Sequence, residues 1–309
     1  MEKILIIQTR PGIGDMCVFL TYVHKIAETY PNKEIIILTK SRSRADELLR
    51  DDILVKDVIY VPKKNIKDQF NFIKKLKKFN FSASYIFHYG FRYYFLSKIL
   101  NIENIFFYGF FKKNESIVDK AKYSTEKWLQ KSNLEFNPKL YLNKKIQKNN
   151  SIILGIGGSG NTKKWPIENY IDLVAQITNK HKFNYILAGG PNEKKDAEII
   201  IKKLENLNLE IKSICDLKLY ESLKVISGSY IYIGNDTGFM HVSGLLGIKS
   251  FGLFGDTPTN YSDYNKLIFP IKPSGLDNVG HDSFAMKLIT VEQVHKVIDD
   301  FLRKDGRVV

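Results

Sequence analysis

The chain has 309 residues, enough for two domains of ordinary size, and its 44% hydrophobic and 13% aromatic content argues against disorder. No apolar run approaches the roughly 18 residues that a membrane-spanning helix needs, and no signal peptide is expected, because Met1-Glu2-Lys3 leads straight into a short strand. The two cysteines, Cys17 and Cys215, form neither a disulfide framework nor metal-ligand spacing. We therefore expect a soluble cytoplasmic protein with reduced thiols.

The net charge of +14 is unevenly distributed along the chain. Residues 1–150 carry 28 Lys and Arg against 15 Asp and Glu, whereas residues 151–309 carry 19 against 18. Most single lysine clusters are solvated helix faces, but a field this one-sided attracts polyanions such as a membrane surface, nucleic acid or an acidic glycan.

Short apolar strands alternate with amphipathic helices through the first half of the chain. Strands are predicted at 4–8, 34–39, 57–61, 83–87 and 105–108, and helices at 15–29, 43–49, 66–79, 91–100 and 124–130. Residues 133–150 lack a sustained period and indicate a linker.

The alternation then restarts. Strands are predicted at 152–156, 184–188, 230–233 and 250–254, and helices at 167–178, 193–204, 219–226, 237–246 and 290–302. Strands that alternate with helices imply parallel sheets with right-handed crossovers. We predict an α/β protein of two doubly wound, Rossmann-like domains, 1–148 and 149–309, that face across a cleft, with the last helix, 290–302, able to pack back on the first domain. Ligands of such sheets bind beyond the carboxyl ends of the strands, so the cleft is the expected site.

The most informative motif joins the strand at 230–233 to the following helix and reads Gly-Asn-Asp-Thr-Gly-Phe-Met-His. The unpaired N–H groups and the dipole of a helix N-terminus favour an anion. Thr237 adds a hydroxyl, and Gly238 lets a phosphate approach the backbone. Two alternatives stay open: Asp236 caps the helix, and His241, on the same helix face as Thr237, is structural rather than a phosphate donor.

A glycine-rich loop, 155–166, follows the first strand of the second domain. Its glycines allow close approach to a phosphate, while Ser159 and Lys163 add donors and positive charge. The loop lacks the spacing of a Walker motif. Its alternative is a flexible turn, with Trp165 packed and Pro166 in the first helical turn.

Two carboxylates follow strands. Glu193, after the turn at 188–192, could accept hydrogen bonds from a ribose diol or simply favour the helix dipole. Asp15 follows the first strand in a Gly-Ile-Gly-Asp loop that is a poor dinucleotide fingerprint, because Cys17 occupies the third glycine position. Asp15 is either the N-cap of the first helix or a general base for an incoming hydroxyl.

Together these motifs resemble glycosyltransferase family 9, the ADP-heptose:lipopolysaccharide heptosyltransferases, over essentially the whole chain. The matching segments are 12–15, 163–168, 189–193, 235–241, 252–255 and 289–294. The resemblance implies a GT-B fold and an inverting, metal-independent transfer without a cofactor. The donor would be a nucleotide-diphosphate sugar, ADP-heptose, and the acceptor an anionic glycolipid of the lipopolysaccharide core, met at the inner face of the inner membrane by the basic first domain. No nucleic-acid partner is expected.

The same resemblance implies a role for each matching residue. Asp15 would be the catalytic base. Donor binding would fall to Ser159 and Lys163 for the diphosphate, Glu193 for the ribose, and Asp236, Thr237, Gly238 and His241 for the phosphate and donor sugar. Acceptor contacts are expected from Arg42, Arg44 and Arg92. Four aromatic residues could contact lipid or sugar, although packing in the core is the commoner role for most of them: Tyr89, Phe91, Tyr93 and Tyr94. Two positions depart from the family pattern: Thr21 replaces a frequent proline, and the stretch 88–90 replaces Asp-Leu-Gln-Gly-like residues.

Three rival functions use the same features. A nucleotide-sugar epimerase of the same architecture would act without an acceptor, a non-catalytic nucleotide-sugar-binding protein would not need Asp15, and a nucleic-acid-binding protein would use the basic first half.

Overall fold

A computed structural model describes residues 2–62, 65–110, 115–143 and 147–306. The chain forms two compact units, Met1–Asn143 and Lys144–Val309. Each unit contains a parallel β-sheet with helices on both faces, and the prediction of two doubly wound α/β domains is confirmed. In the part of the chain that the structure describes, no helix combines the length and the apolar character needed to cross a bilayer.

Within its described residues, the first unit contains a five-stranded sheet and five α-helices. Its strands are β1 (Lys3–Gln8), β2 (Glu34–Thr39), β3 (Asp57–Tyr60), β4 (Phe81–Phe87) and β5 (Asn104–Phe107), in the order β3-β2-β1-β4-β5. Its helices are α1 (Ile13–Thr29), α2 (Ala45–Leu48), α3 (Ile66–Lys77), α4 (Arg92–Ile99) and α5 (Ile117–Leu129). β1 pairs in parallel with β2 and with β4, so the first strand lies at the centre of the sheet.

The two faces of this sheet carry different helices. On one face, α3 and α4 bury Phe72, Leu76 and Leu96 in a core with alternate side chains of β1 and β2. On the other face, Phe19 of α1 packs on Phe87 of β4, with ring centroids 5.3 Å apart. Trp128 of α5 packs on the same phenylalanine at 5.0 Å, so α1 and α5 form the second helical layer.

The second unit contains a six-stranded sheet. Its strands are β6 (Ser151–Gly155), β7 (Asn184–Ala188), β8 (Ile211–Ser213), β9 (Ile231–Asn235), β10 (Lys249–Leu253) and β11 (Ile268–Ile271), in the order β11-β10-β9-β6-β7-β8. Its helices are α6 (Ile167–Thr178), α7 (Lys194–Leu204), α8 (Leu219–Ser227), α9 (Gly238–Leu245) and α10 (Val291–Lys304). Helix α10, predicted as 290–302, packs against α6 and buries Val294, Ile298 and Leu302 in the core of its own unit.

Some elements differ from their predicted bounds for local reasons. The predicted helix 43–49 divides at Arg44, whose backbone is left-handed with φ 48°, into a 3-10 turn at Ser41–Ser43 and the short α2. Helix α5 begins seven residues earlier than predicted, where the Ser116 hydroxyl caps it by accepting from the Asp119 N–H. The edge strands β8 and β11 were not predicted, because three or four residues carry too little period to distinguish a strand from a loop.

Candidate active site

Each sheet has one point where the strand order reverses, between β1 and β4 in the first unit and between β6 and β9 in the second. Loops at the carboxyl ends of the two strands diverge there and leave room for a ligand. The predicted site residues follow these strands, so each unit has a candidate site at its own reversal point.

In the second unit, Asn235 at the end of β9 organises the site. Its side chain is fully buried. The side-chain amide oxygen accepts from the backbone N–H of Trp165 at 3.0 Å, and the side-chain amide nitrogen donates to the Gly157 carbonyl at 2.8 Å. These bonds tie both ends of the glycine-rich loop to the end of the neighbouring strand. Sequence reasoning had noted Asn235 only as part of a motif and gave it no role.

Trp165 is packed, as the alternative for this loop proposed. Its ring is 2% exposed, lies 5.0 Å from the Tyr170 ring, and donates its indole N–H to the Ile289 carbonyl. The packing anchors the C-terminal end of the loop and leaves its tip, with Ser159 and Gly160, exposed to solvent. The glycine-rich loop is therefore fixed at its two ends, while its tip is exposed to solvent.

The turns after β6 and β7 approach each other at glycine positions. A Cβ added to Gly157 would lie 3.4 Å from the Gly189 Cα, and one added to Gly189 would lie 2.7 Å from the Glu193 Cβ. The contact from Gly157 is an ordinary van der Waals distance, whereas a side chain on Gly189 would clash within its own turn, so Gly189 is the position where this packing requires glycine. The consequence is a small, backbone-rich surface at the carboxyl ends of adjacent strands.

Glu193 lies in this surface, in a 3-10 turn (Pro191–Glu193) before α7. One carboxylate oxygen accepts from the Gly190 N–H at 2.8 Å, and the other pairs with the Lys164 ammonium at 2.7 Å. The carboxylate thus holds its own turn and the adjacent lysine in place. Its assignment to a ribose stays a prediction.

At the start of α9, the buried His241 pairs with the partly buried Asp236. The His241 Nε2 lies 3.4 Å from the Asp236 carboxylate, and its Nδ1 lies 2.9 Å from the Tyr264 hydroxyl. Burial by itself would raise the pKa of Asp236, but the hydrogen bond and charge of His241, the Thr257 hydroxyl and the Lys163 ammonium together lower it. Asp236 is therefore held as the carboxylate, and both nitrogens of the His241 ring contact neighbouring side chains.

The N-cap of α9 is Thr237, so the reading of Asp236 as the cap is wrong. Thr237 has extended backbone angles, and its hydroxyl makes no capping bond to the helix but lies 3.4 Å from the Tyr232 hydroxyl. Gly238 is the first helical residue. The first turn of α9 thus presents backbone N–H groups beside a glycine, the arrangement predicted for a phosphate site.

Asp256, which sequence reasoning missed, connects this region to the glycine-rich loop. Its carboxylate accepts from the Phe284 N–H at 3.0 Å. Burial would raise its pKa, but the Phe284 N–H, the Thr162 hydroxyl and the charge of Lys163 lower it. The positive charge of Lys163 therefore acts on two carboxylates, Asp236 and Asp256. Position after a β-strand was the one sequence signal that could have indicated Asp256.

In the first unit, Asp15 is the third residue of α1 and follows an N-cap at Gly12. One carboxylate oxygen accepts from the Gly12 N–H at 3.1 Å, and the other from the Arg10 Nε at 2.7 Å. Asp15 therefore takes part in capping from inside the helix and is not itself the N-cap. Its side chain is 21% exposed, so a hydroxyl can still reach it. The Arg10 partner had not been singled out in the sequence.

A cavity of about 270 Å³ opens at the same reversal point, and its lining includes Arg10, the partner of Asp15, with Lys40, His88 and Tyr89. The His88 Nδ1 lies 3.0 Å from the Thr9 hydroxyl, which joins the ends of β1 and β4. Burial, with the charges of Lys40 and Arg92, lowers the pKa of His88 and favours the neutral ring. The departure from the family pattern at 88–90 therefore lies at this cavity.

The three arginines predicted for the acceptor are spread along this edge of the first sheet. Arg42 is exposed after β2, and Arg92 begins α4 and donates to the Gln69 side chain at 3.3 Å. Arg44 is turned toward Glu47, with a shortest distance of 2.6 Å between guanidinium and carboxylate. Their acceptor roles stay predictions, and Arg44 would have to exchange its glutamate partner for a ligand.

Among the described residues, no three His, Cys, Asp or Glu side chains cluster so as to hold a metal ion. The charged groups at both reversal points are instead paired with lysine, arginine, histidine or backbone N–H groups, as described above.

Two doubly wound domains with glycine-rich and carboxylate-bearing turns at their strand ends define a protein of the GT-B class. The family model for glycosyltransferase family 9 (heptosyltransferase) matches residues 109–274, more than half of the chain. The chain therefore belongs to this family, and it is a glycosyltransferase. Both the fold and the family predicted from the sequence are confirmed.

Individual relatives agree with this assignment. The chain is 28% identical over 260 residues to lipooligosaccharide heptosyltransferase 2 of Campylobacter jejuni, covering 79% of each protein. It shares its fold with the E. coli ADP-heptose lps heptosyltransferase II, with a TM-score of 0.78 and 17% identity over 99% of this chain and 100% of that one. The structure of the E. coli heptosyltransferase WaaC with ADP matches with a TM-score of 0.77 and 15% identity, covering 96% of this chain and 99% of that one.

Proposed function

We propose that this protein transfers a heptose from ADP-heptose to an anionic, lipid-linked acceptor of the lipopolysaccharide or lipooligosaccharide core, with inversion and without a metal ion. The observation that carries the proposal is the Asn235 network, which ties both ends of the glycine-rich loop that contains Lys163 to the end of β9, directly before the start of α9. Membership in the heptosyltransferase family and the names of the relatives support the choice of donor and acceptor.

The donor diphosphate binds to the second unit. Backbone N–H groups of the glycine-rich loop and of the first turn of α9 face its oxygens, and the Lys163 ammonium adds a full positive charge. As the bond between the anomeric carbon and the phosphate oxygen breaks, the electron pair leaves with ADP. Groups already oriented toward that charge lower the barrier, and Lys163 serves in place of a cation.

The acceptor hydroxyl is activated in the first unit. Asp15 accepts its proton as the oxygen forms the new bond to the anomeric carbon, on the face opposite the leaving diphosphate. One displacement with one base inverts the anomeric centre. The Arg10 guanidinium and the Gly12 N–H hold the Asp15 carboxylate in place during the proton transfer. We place this reaction in the cytoplasm, at the inner face of the inner membrane, where a lipid-linked acceptor is presented.

The first test measures thermal stabilisation by ADP, GDP and UDP, each against its monophosphate. Selective stabilisation by ADP is expected, because a ligand that binds only the folded state raises the melting temperature. Stabilisation by another diphosphate alone would overturn the choice of donor, and no shift with any of them would overturn the donor site.

The second test measures transfer from ADP-heptose to a delipidated core oligosaccharide. Asp15→Asn should lower turnover by about 10²-fold or more while the ADP-induced stabilisation stays intact, and Asp57→Asn, at an exposed position of β3, is the matched control. Near-normal turnover by Asp15→Asn would refute the base assignment. Conversion of the nucleotide sugar in the absence of acceptor would instead identify an epimerase.

A further inference from the structure

The outward face of α4 carries an unusual set of side chains for a helix on a protein surface. Phe91, Phe95 and Ile99 follow one another at a spacing of four residues and are 49%, 60% and 49% exposed. Arg92 and Lys98 lie on the same exposed side, whereas Tyr93 and Leu96 are buried on the opposite one. The exposed face is therefore apolar and basic, and it has no acidic residue.

The apolar part of this face continues beyond the helix. The Phe91 ring lies 5.3 Å from the ring of Phe110, which is 59% exposed, and 6.4 Å from that of Phe95. A continuous exposed aromatic cluster of this kind marks an interaction site more often than scattered apolar residues do. We call these residues, Phe91, Phe95, Ile99 and Phe110 with Arg92 and Lys98, the α4 face.

The positive charge of the first unit is concentrated in the same helical layer. Helices α3 and α4 together contain six Lys and Arg and one acidic residue, Asp68, whereas α1 and α5 on the other side of the sheet contain four basic and four acidic residues. The two basic helices adjoin, because Arg92 of α4 bonds to Gln69 of α3. The side of the sheet that exposes the aromatic cluster is thus also the charged one.

We propose that the α4 face, with the lysines of α3 around it, docks on the surface of an anionic lipid bilayer. Phenylalanine and isoleucine side chains enter the boundary between headgroups and acyl chains, while lysine and arginine remain at the headgroups and attract acidic lipid. A second copy of the chain is disfavoured, because two such faces repel each other, and a nucleic acid would leave Ile99 without a complementary partner.

The position of the α4 face explains what docking accomplishes. Helix α4 follows the end of β4, where Tyr89 stacks on His88 at the cavity that Arg10, the partner of Asp15, also lines. A bilayer in contact with Phe91 therefore lies next to the cavity that the proposed function assigns to the acceptor side. The inference deepens that function, on which it rests, by stating which surface approaches a lipid-linked acceptor.

Flotation of the full chain with lipid vesicles tests this inference. Wild type should bind vesicles with about 30% phosphatidylglycerol and not pure phosphatidylcholine, and binding should fall steeply near 1 M salt, where the Debye length is about 3 Å. The double variant Phe95→Ser/Ile99→Ser should bind the acidic vesicles at least about tenfold more weakly, and Lys98→Gln about fivefold more weakly.

The opposite helical layer supplies the matched control. Tyr123 on α5 is 62% exposed beside the exposed Lys122, so Tyr123→Ser/Lys122→Gln removes a comparable aromatic and charge from the other side of the sheet. This control should bind vesicles like wild type. All variants should keep ADP-induced stabilisation and transfer to a delipidated acceptor, which separates lipid docking from the transferase activity.

Three results would overturn the inference while the proposed function stands. The wild-type protein does not bind acidic vesicles, or the control variant loses as much vesicle binding as Phe95→Ser/Ile99→Ser does. The third result is a wild-type dimer that dissociates in this double variant. If ADP does not stabilise the wild-type protein, the proposed function is refuted, and the vesicle result is then interpreted separately.

Discussion

Asn235→Ala should be among the most damaging single changes in the second unit. The substitution removes the partners of the Trp165 N–H and of the Gly157 carbonyl, whereas the Tyr170 hydroxyl keeps its bond to the Gly155 carbonyl at 2.7 Å. Two buried polar groups are therefore left unpaired, at about 1–3 kcal/mol each. The expected loss is about 2–6 kcal/mol, which lowers the melting temperature by roughly 10 °C in a unit of this size.

The assay is thermal unfolding followed by ADP binding at a temperature where the variant is folded. ADP affinity should fall by about tenfold or more, because the loop that we propose to bind the diphosphate is no longer tied to β9. Asn265→Ala is the matched control, since Asn265 is also buried in the second unit but its side chain accepts one bond, from the Leu267 N–H. That change should cost about 1 kcal/mol and leave ADP affinity unchanged.

A second substitution separates shape from hydrogen bonding. Asn235→Asp keeps the size and the acceptor for the Trp165 N–H but replaces the amide donor with an oxygen that faces the Gly157 carbonyl. Only a protonated aspartate can restore that bond, so the stability difference from wild type should shrink as the pH falls toward 5. If Asn235→Ala melts within about 2 °C of Asn265→Ala, less than the cost of one orphaned polar group, the reasoning about this network is wrong.

Three further predictions concern the charged groups of the two sites. Lys163→Met should weaken binding of both ADP and pyrophosphate by about tenfold, whereas Glu193→Gln should weaken ADP but not pyrophosphate, which has no ribose; calorimetry with both ligands separates them, and equal losses would refute the ribose role. Because the pKa of His88 is lowered from 6.5, the folded state resists protonation of this ring. Wild-type stability should therefore fall relative to that of His88→Asn as the pH drops below 6.5, and a difference in melting temperature that stays constant from pH 7.5 to 5.5 would contradict this. Because the pKa of Asp236 is lowered from 3.8 in the folded state, its stabilising effect is complete above about pH 5 and is lost below pH 3.8, as the pH falls through the lowered folded-state pKa. The advantage of wild type over Asp236→Asn should therefore shrink below pH 3.8, and an advantage independent of pH would show that the carboxylate is not the stabilising form.

The sequence determined the main architecture, because buried parallel strands such as 4–8 and 152–156 are apolar runs bounded by polar turns, and that pattern is local. It also predicted where candidate site residues would lie, since parallel strands bring their carboxyl ends to one edge and the turns there contain Asp15, Glu193 and Asp236. Motif order was sufficient for the family. Each strand, turn and motif is itself a pattern of residues close together in the chain.

Only the tertiary structure decided which groups meet. Asn235 contacts Gly157 across 78 positions, and Thr9 contacts His88 across 79, so neither pair is visible in local pattern. The sequence likewise shows that the first half of the chain is basic, but not on which side of the sheet the basic helices lie. Folding places α3 and α4 on one side of the sheet and α1 and α5 on the other. The physical reason is that pairing, burial and the side on which a helix packs depend on contacts between distant segments, whereas periodicity reports only the nearest few residues.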